Sequence, residues 1–133
     1  MPKEDYLLKY LEKLSRVIAA MVGFRDKGFP EDALRLADET YRELFGLNLE
    51  ELEMMPMERF LELIKKSGYS SSYLEILAQL AYETAKSGEN TGKSKEFHRK
   101  ALEIYRLLNE KDKTFSFERE MIISELKQLT VNS

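Results

Sequence analysis

Apolar residues recur at helical intervals along most of the chain. Between Asp5 and Phe24, Leu7, Leu11, Leu14, Ile18 and Met21 step by four, three, four and three, and Tyr10, Val17, Ala20 and Phe24 widen the stripe. That period belongs to an amphipathic helix and not to a strand. Gly28 is suited to a left-handed stop, and Pro30 to the first turn of a second helix running to about Phe45. Leu34, Ala37, Tyr41 and Leu44 share one face of that helix, and Gly46 ends it.

Asn48 and Glu51 have the spacing of a capping box, which opens a short helix through about Met54. Pro56 restarts the chain. Phe60, Leu61 and Ile64 then mark an amphipathic segment ending near Gly68. The serines Ser70, Ser71 and Ser72 hold an N-cap, with Ser72 and Glu75 spaced as a second capping box. The helix that follows buries Leu74, Leu77, Ala78, Ala81 and Ala85 and stops at Gly88. A further helix carries Phe97, Ala101, Ile104, Tyr105 and Leu108, and a polar turn over Asn109 to Lys113 ends it. The last helix begins near Ser116 with Ile122, Leu126 and Leu129. No alternating strand pattern is found, and Phe115-Ser116-Phe117 is too short to make one. The expectation is an all-α fold of about six helices.

Composition narrows the setting. A chain of 133 residues suits one domain, and folding at this size buries roughly two-thirds of the unfolded surface. With 43% hydrophobic and 34% charged residues it has a real core and a densely charged exterior, too apolar for a disordered chain. Cysteine is absent, which excludes disulfides, thiolate nucleophiles and cysteine metal sites. No signal-peptide pattern or run of about 18 apolar residues is present, so a cytoplasmic protein with no membrane partner is expected. The net charge of -3 and pI near 5.4 give no bulk attraction to nucleic acid.

Candidate chemistry is sparse. Ser87-Gly-Glu-Asn-Thr-Gly-Lys-Ser94 spells the second half of a phosphate-binding loop, with Gly92, Lys93 and Ser94 in place and Ser87 where the first glycine belongs. Such a loop needs a preceding buried strand to seat it. Here the preceding LEILAQLAYETAK has helical period. The stretch is therefore read as a turn, with Asn90 or Thr91 capping the next helix. His98 is the only histidine, sits on a charged helix and has no nucleophile suggested beside it. One histidine also excludes a di-iron bundle of the paired Glu-x-x-His form. The carboxylates Glu50, Glu51, Glu53, Glu58 and Glu62 read as solvated faces and intrahelical pairs. Met54, Met55 and Met57 around Pro56 suit either core filling, the commoner use, or an adaptable binding surface. No catalytic residue, metal site or cofactor emerges, and the chain is read as a non-enzyme.

A repeat does emerge. Gly28 and Ala33 have the spacing of a tetratricopeptide (TPR) repeat, in which a glycine ends helix A and a small residue packs inside helix B. Val17, Ala20, Met21 and Phe24 fall on helix-A packing positions, as do Leu77, Leu80, Ala81 and Thr84 before Gly88. Lys100-Ala-Leu-Glu-Ile-Tyr105 resembles the core of helix B. Thirteen residues rather than five separate Gly88 from Ala101, and Asn48 to Lys66 replaces a regular middle repeat. The chain thus resembles two TPR-like antiparallel hairpins, about 5–45 and 73–109, in a right-handed array. The segment 48–67 intervenes, and a C-terminal helix over 116–129 completes a single domain spanning 1–133. The layout of Asp5-Tyr-Leu-Leu-Lys-Tyr-Leu-Glu12, Ala33-Leu34, Leu44-Phe-Gly-Leu47 and Ala101-Leu-Glu-Ile-Tyr105 resembles a family of functionally uncharacterised bacterial proteins with a TPR-like fold. That resemblance implies the fold and a bacterial cytoplasmic setting, and no activity.

Two function classes follow. One is a helical-repeat interaction protein taking a protein, a peptide or a second copy of itself. The other is a small ligand-binding protein or enzyme with a pocket between helices. In a TPR hairpin the inner face is made chiefly by helix A, and the resemblance places Ser15, Ile18, Val22 and Arg25 there, with Glu75, Ala78, Tyr82 and Lys86. Arg25 and Lys86 could pair with a carboxylate and Tyr82 offers a flat contact with a polar tip. These three residues are the candidate partner groove, unless the chain's own helices fill it.

Overall fold

The computed structural model describes residues 3–68, 70–89 and 95–131, with side chains from residue 7 onward. Seven helices account for 87% of the described residues, and no strand occurs among them. They are α1 (Lys3–Asp26), α2 (Pro30–Phe45), α3 (Leu49–Met54), α4 (Met57–Ser67), α5 (Ser71–Gly88), α6 (Lys95–Lys111) and α7 (Phe117–Val131). None is long and apolar enough to cross a membrane. The P-loop-like residues Asn90 to Ser94, Lys93 included, lie outside the described residues, as does the cap expected at Asn90 or Thr91.

Local chemistry sets most of the boundaries. After α1, Gly28 turns left-handed at φ 86°. The Gly28 amide then donates to the Arg25 carbonyl and the Phe29 amide to the Phe24 carbonyl, at 3.0 and 2.8 Å. This is the two-bond Schellman closure, and glycine takes its left-handed residue without a Cβ clash. Pro30 then sits in the first turn of α2, and left-handed Gly46 ends it. The capping box at Asn48 forms in full: its side chain accepts from the Glu51 amide at 2.7 Å, and Glu51 Oε1 accepts from the Asn48 amide at 3.1 Å.

Two boundaries differ from expectation. The N-cap of α5 is Ser70, whose hydroxyl accepts from the Tyr73 amide, and Ser72 lies inside the helix. The start is fixed by Tyr73, whose ring lies 2.6 Å from where a Cβ on Gly68 would stand, so only glycine lets the chain pass. Gly88 is the last residue of α5, as expected, and it is buried against its neighbours, with Glu89 as the capping residue. Helix α6 continues to Lys111 and absorbs the first part of the expected turn.

Helix α5 is the centre of the molecule. Its largest contact is with α6, and it packs on α1 and α2 as well. Eleven of its residues are buried, including Leu74, Leu77, Leu80 and the small Ala78, Ala81, Thr84, Ala85, Ser87 and Gly88. Small side chains on several faces let neighbouring helices approach closely. Apolar burial on this scale supplies most of the driving force for folding, at roughly 25 cal/mol per Å².

Helices α1, α2 and α6 bury single stripes against it, and α7 buries its own against α6. Leu14 and Met21 come from α1, Ala33, Ala37 and Tyr41 from α2, Phe97, Ala101, Ile104 and Leu108 from α6, and Ile123 and Leu126 from α7. Of the four helix-A packing positions assigned in α1, Met21 is buried and Val17 partly so, whereas Ala20 and Phe24 are exposed. All four in α5 are buried. Tyr41 stacks on Phe97 and donates to or accepts from Thr84 Oγ1 at 3.0 Å, fastening α2 to α5 and α6.

The middle segment is held by one cation. Lys100 of α6 is 2% exposed, and its Nζ donates to the carbonyls of Glu53 and Met55, both at 3.0 Å. The ammonium also lies 5.5 Å from the centre of the Phe60 ring of α4. It thereby satisfies carbonyls that the end of α3 and the residue before Pro56 would otherwise leave bare. Burial lowers the Lys100 pKa, against the charges of Glu96 and Glu53. Met55 and Met57 pack on the core around this anchor, while Met54 is 78% exposed.

Candidate functional site

Arg25 ends α1, and Tyr82 and Lys86 occupy successive turns of α5. Each meets an acidic partner of the same chain, Arg25 in a pair between α1 and α5, Tyr82 and Lys86 in a cluster between α5 and α7. Arg25 Nη1 contacts Glu83 Oε1 at 2.7 Å, with the Glu83 side chain 9% exposed. The Tyr82 hydroxyl donates to Glu125 Oε2 of α7. Lys86 Nζ donates to the other oxygen of Glu125 at 3.0 Å and lies 3.7 Å from Glu89.

The ionisation states follow from this packing. Burial pushes the Tyr82 phenol up, and its hydrogen bond to the Glu125 carboxylate pushes it further. Burial works against ionised Glu125, but the hydrogen bonds from Tyr82 and Lys86 and the charge of Lys86 outweigh it and hold the carboxyl below its ordinary value. The phenol therefore stays protonated as donor and the carboxylate stays charged as acceptor.

His98 lies at the edge of the cluster around Lys86. It is 8% exposed, and its Nε2 is 3.2 Å from Glu89 Oε1, joining the end of α5 to the start of α6. At the other end, buried Arg119 of α7 reaches Asp112 at 3.2 Å, Glu75 of α5 at 3.7 Å and Asn109 of α6 at 3.3 Å. Tyr105 sits between these groups. Burial first, and the charges of Glu75 and Glu83 after it, push its phenol up. Its hydroxyl, Ser87 Oγ and Arg119 Nε are buried without a hydrogen-bond partner among the described residues.

Glu83, Glu125, Lys100 and Arg119 are the residues that sequence reasoning missed. Glu83 had a signal, as the single charge in the apolar stretch from Leu77 to Ala85. Glu125 had none, because its role depends on how α7 crosses α5. Among the described residues no grouping of three or more histidine or acidic side chains could hold a metal ion.

A separate groove of about 620 Å³ lies between α2 and α3. Leu34, Asp38 and Arg42 form one wall, and Glu50, Glu53 and Met54 the other. Asp38 crosses its floor, accepting from the Leu49 amide at 2.8 Å and from Arg42 Nε at 3.0 Å. No family model, curated protein or solved structure matches the chain.

Proposed function

We propose that the chain is a non-enzymatic helical-repeat protein of TPR-like build, bacterial and cytoplasmic, that engages a protein or peptide through the face shared by α1 and α5. In this reading α1 with α2 and α5 with α6 are the paired helices, and α7 caps the array. The pattern of packing supports it: each consecutive pair is in contact, and α5 rests on both members of the first pair. The observation that carries the binding role is the convergence of Arg25, Tyr82 and Lys86 on carboxylates. A face that holds acidic groups with a guanidinium, a phenol and an ammonium has the donors for an acidic partner segment. The test is capture of partners from bacterial lysate by the purified protein, followed by titration of each captured protein. Tyr82→Ala combined with Lys86→Glu should abolish binding while circular dichroism stays helical. Undiminished affinity of every captured partner for that variant would sink the proposal.

The second reading, a small ligand-binding protein or enzyme, draws on the groove between α2 and α3, whose volume falls within the range of small-molecule sites. A thermal-shift screen of nucleotides, metals and metabolites would reveal it. Any stabilising ligand should lose its effect in Asp38→Ala or Met54→Trp, and a ligand indifferent to both does not bind there.

A further inference from the structure

Helix α7 faces the core with Arg119, Ile123 and Leu126, all buried. At 100° per residue, the opposite side of the helix carries Phe117, Met121, Ser124, Gln128 and Val131, every one exposed. Phe117 is 69%, Met121 59% and Val131 81% exposed, and Phe115 just before the helix is 75% exposed. In a chain with 34% charged residues, this stripe of four turns has none. Charges flank it on both edges: Glu118, exposed, and the half-buried Glu125 on one, and Glu120 near the start and Lys127 near the end, both exposed, on the other.

The apolar stripe with its Glu120–Lys127 edge is self-complementary, and we propose that α7 pairs with α7 of a second copy, antiparallel about a two-fold axis at Ser124. Residues equally far from Ser124 then meet. Phe117 and Val131, each seven positions away, pack against each other at both ends of the contact. Glu120 is four positions before the axis and Lys127 three after it, so each glutamate stands beside the partner copy's lysine on the same edge. A two-fold axis produces both pairs at once, as an isologous contact requires. A parallel pairing would set Glu120 beside Glu120 and Lys127 beside Lys127. The small serine at the centre lets the helices approach, and the polar Gln128 lies toward the rim. The stripe itself contains neither Tyr82 nor Lys86; their acidic partner Glu125 stands on its flank, one turn from Met121. One helix pair buries less than the roughly 800 Å² per partner of a standard interface, so a weak association in the micromolar range is expected.

Sedimentation velocity from about 5 to about 500 µM tests the idea across that range. The wild type should shift from monomer to dimer. Met121→Glu, which forces a charge into the apolar contact, should weaken association at least about tenfold with circular dichroism unchanged. Glu120→Lys and Lys127→Glu should each weaken it, and the two together should restore it. Cysteine is absent from the chain, which gives a clean second measurement. Packed helices would hold the two Ser124 Cα atoms about 4–6 Å apart, within reach of a disulfide. Ser124→Cys should therefore cross-link readily under mild oxidation, and Glu62→Cys on exposed α4 should not. A monomer throughout with no preferential cross-linking at Ser124→Cys overturns the proposal. So does a dimer indifferent to Met121→Glu, or single charge reversals that the double reversal fails to rescue.

Discussion

Replacing Lys100 by methionine keeps the buried stem and its volume but removes the ammonium. Two carbonyls, those of Glu53 and Met55, lose their 3.0 Å donor, and the Phe60 ring loses its cation. A buried carbonyl left without a partner costs about 1–3 kcal/mol, which makes about 2–6 for the pair. Against this, the variant no longer has to keep a charge out of water, a penalty of several kcal/mol that the hydrogen bonds only partly offset. The net expected loss is about 2–3 kcal/mol by urea denaturation near neutral pH, or roughly 6–15 °C in Tm for a chain of this size. Hydrogen exchange should quicken first in α3 and around Met55, since that is what the lysine fastens.

The pH dependence has a fixed sign. Burial lowers the folded pKa of Lys100 below its ordinary 10.5, so the unfolded chain binds that proton more tightly. Stability rises with pH wherever the unfolded state holds more protons. The wild type should therefore gain on Lys100→Met as pH climbs toward 10.5, with the tyrosines common to both proteins cancelling in the comparison. Equal or greater stability of Lys100→Met at pH 7, with unchanged exchange in α3, would refute the anchoring role.

Other outcomes follow from the same packing. Tyr105→Phe removes a buried hydroxyl without a hydrogen-bond partner among the described residues and should be neutral or stabilising by up to about 1 kcal/mol, whereas Tyr41→Phe breaks the bond to Thr84 and should cost about 0.5–1.5. Chemical denaturation of both variants checks this, and a loss above about 1 kcal/mol in Tyr105→Phe would contradict it. Ala33 and Ala101 are fully buried, so Ala33→Leu and Ala101→Leu should each overpack and lower stability by about 1–3 kcal/mol; unchanged denaturation midpoints would show slack that the structure lacks. Glu125 is held below its ordinary 4.5, so its contribution is complete above that value and fades as pH falls through the lower folded pKa. The stability gap between wild type and Glu125→Gln should thus be full near neutrality and close in acid; a gap that stays constant down to about pH 2 would show that the ionised form plays no part.

Helix existence was legible because it rests on short-range signals. The Asn48–Glu51 box, Gly28 before Pro30 and Gly46 act within a turn of the residues that carry them. Long-range facts were not legible. Ser72 has the same capping spacing to Glu75 as Ser70 has to Tyr73, and the ring of Tyr73 passing over Gly68 chose between them. Gly88 ends α5 as its local signal indicates, but its burial among neighbouring helices is a tertiary fact that no local pattern carries. Arg25, Tyr82 and Lys86 are read from a face assignment, and each is engaged by a carboxylate of the chain itself. That their carboxylates come from Glu83 and Glu125 depends on how distant helices cross, which no local pattern encodes.

The central position of α5 governs the order in which this chain can become a protein. The apolar stripes of α1 and α2, with Leu14, Met21, Ala37 and Tyr41, close on a helix that begins only at Ser71. A nascent chain that has emerged only as far as Gly68 therefore holds more than half of its sequence with its principal packing surface still unsynthesised. Amphipathic helices draw most of their stability from packing of the apolar face. The first half has to wait, exposed, for the second, and α5 serves as the template on which both halves set at once. Maturation of this fold is thus a late, collective event rather than a progression from the N-terminus, and the interval before it is when the chain is most open to aggregation or to a chaperone.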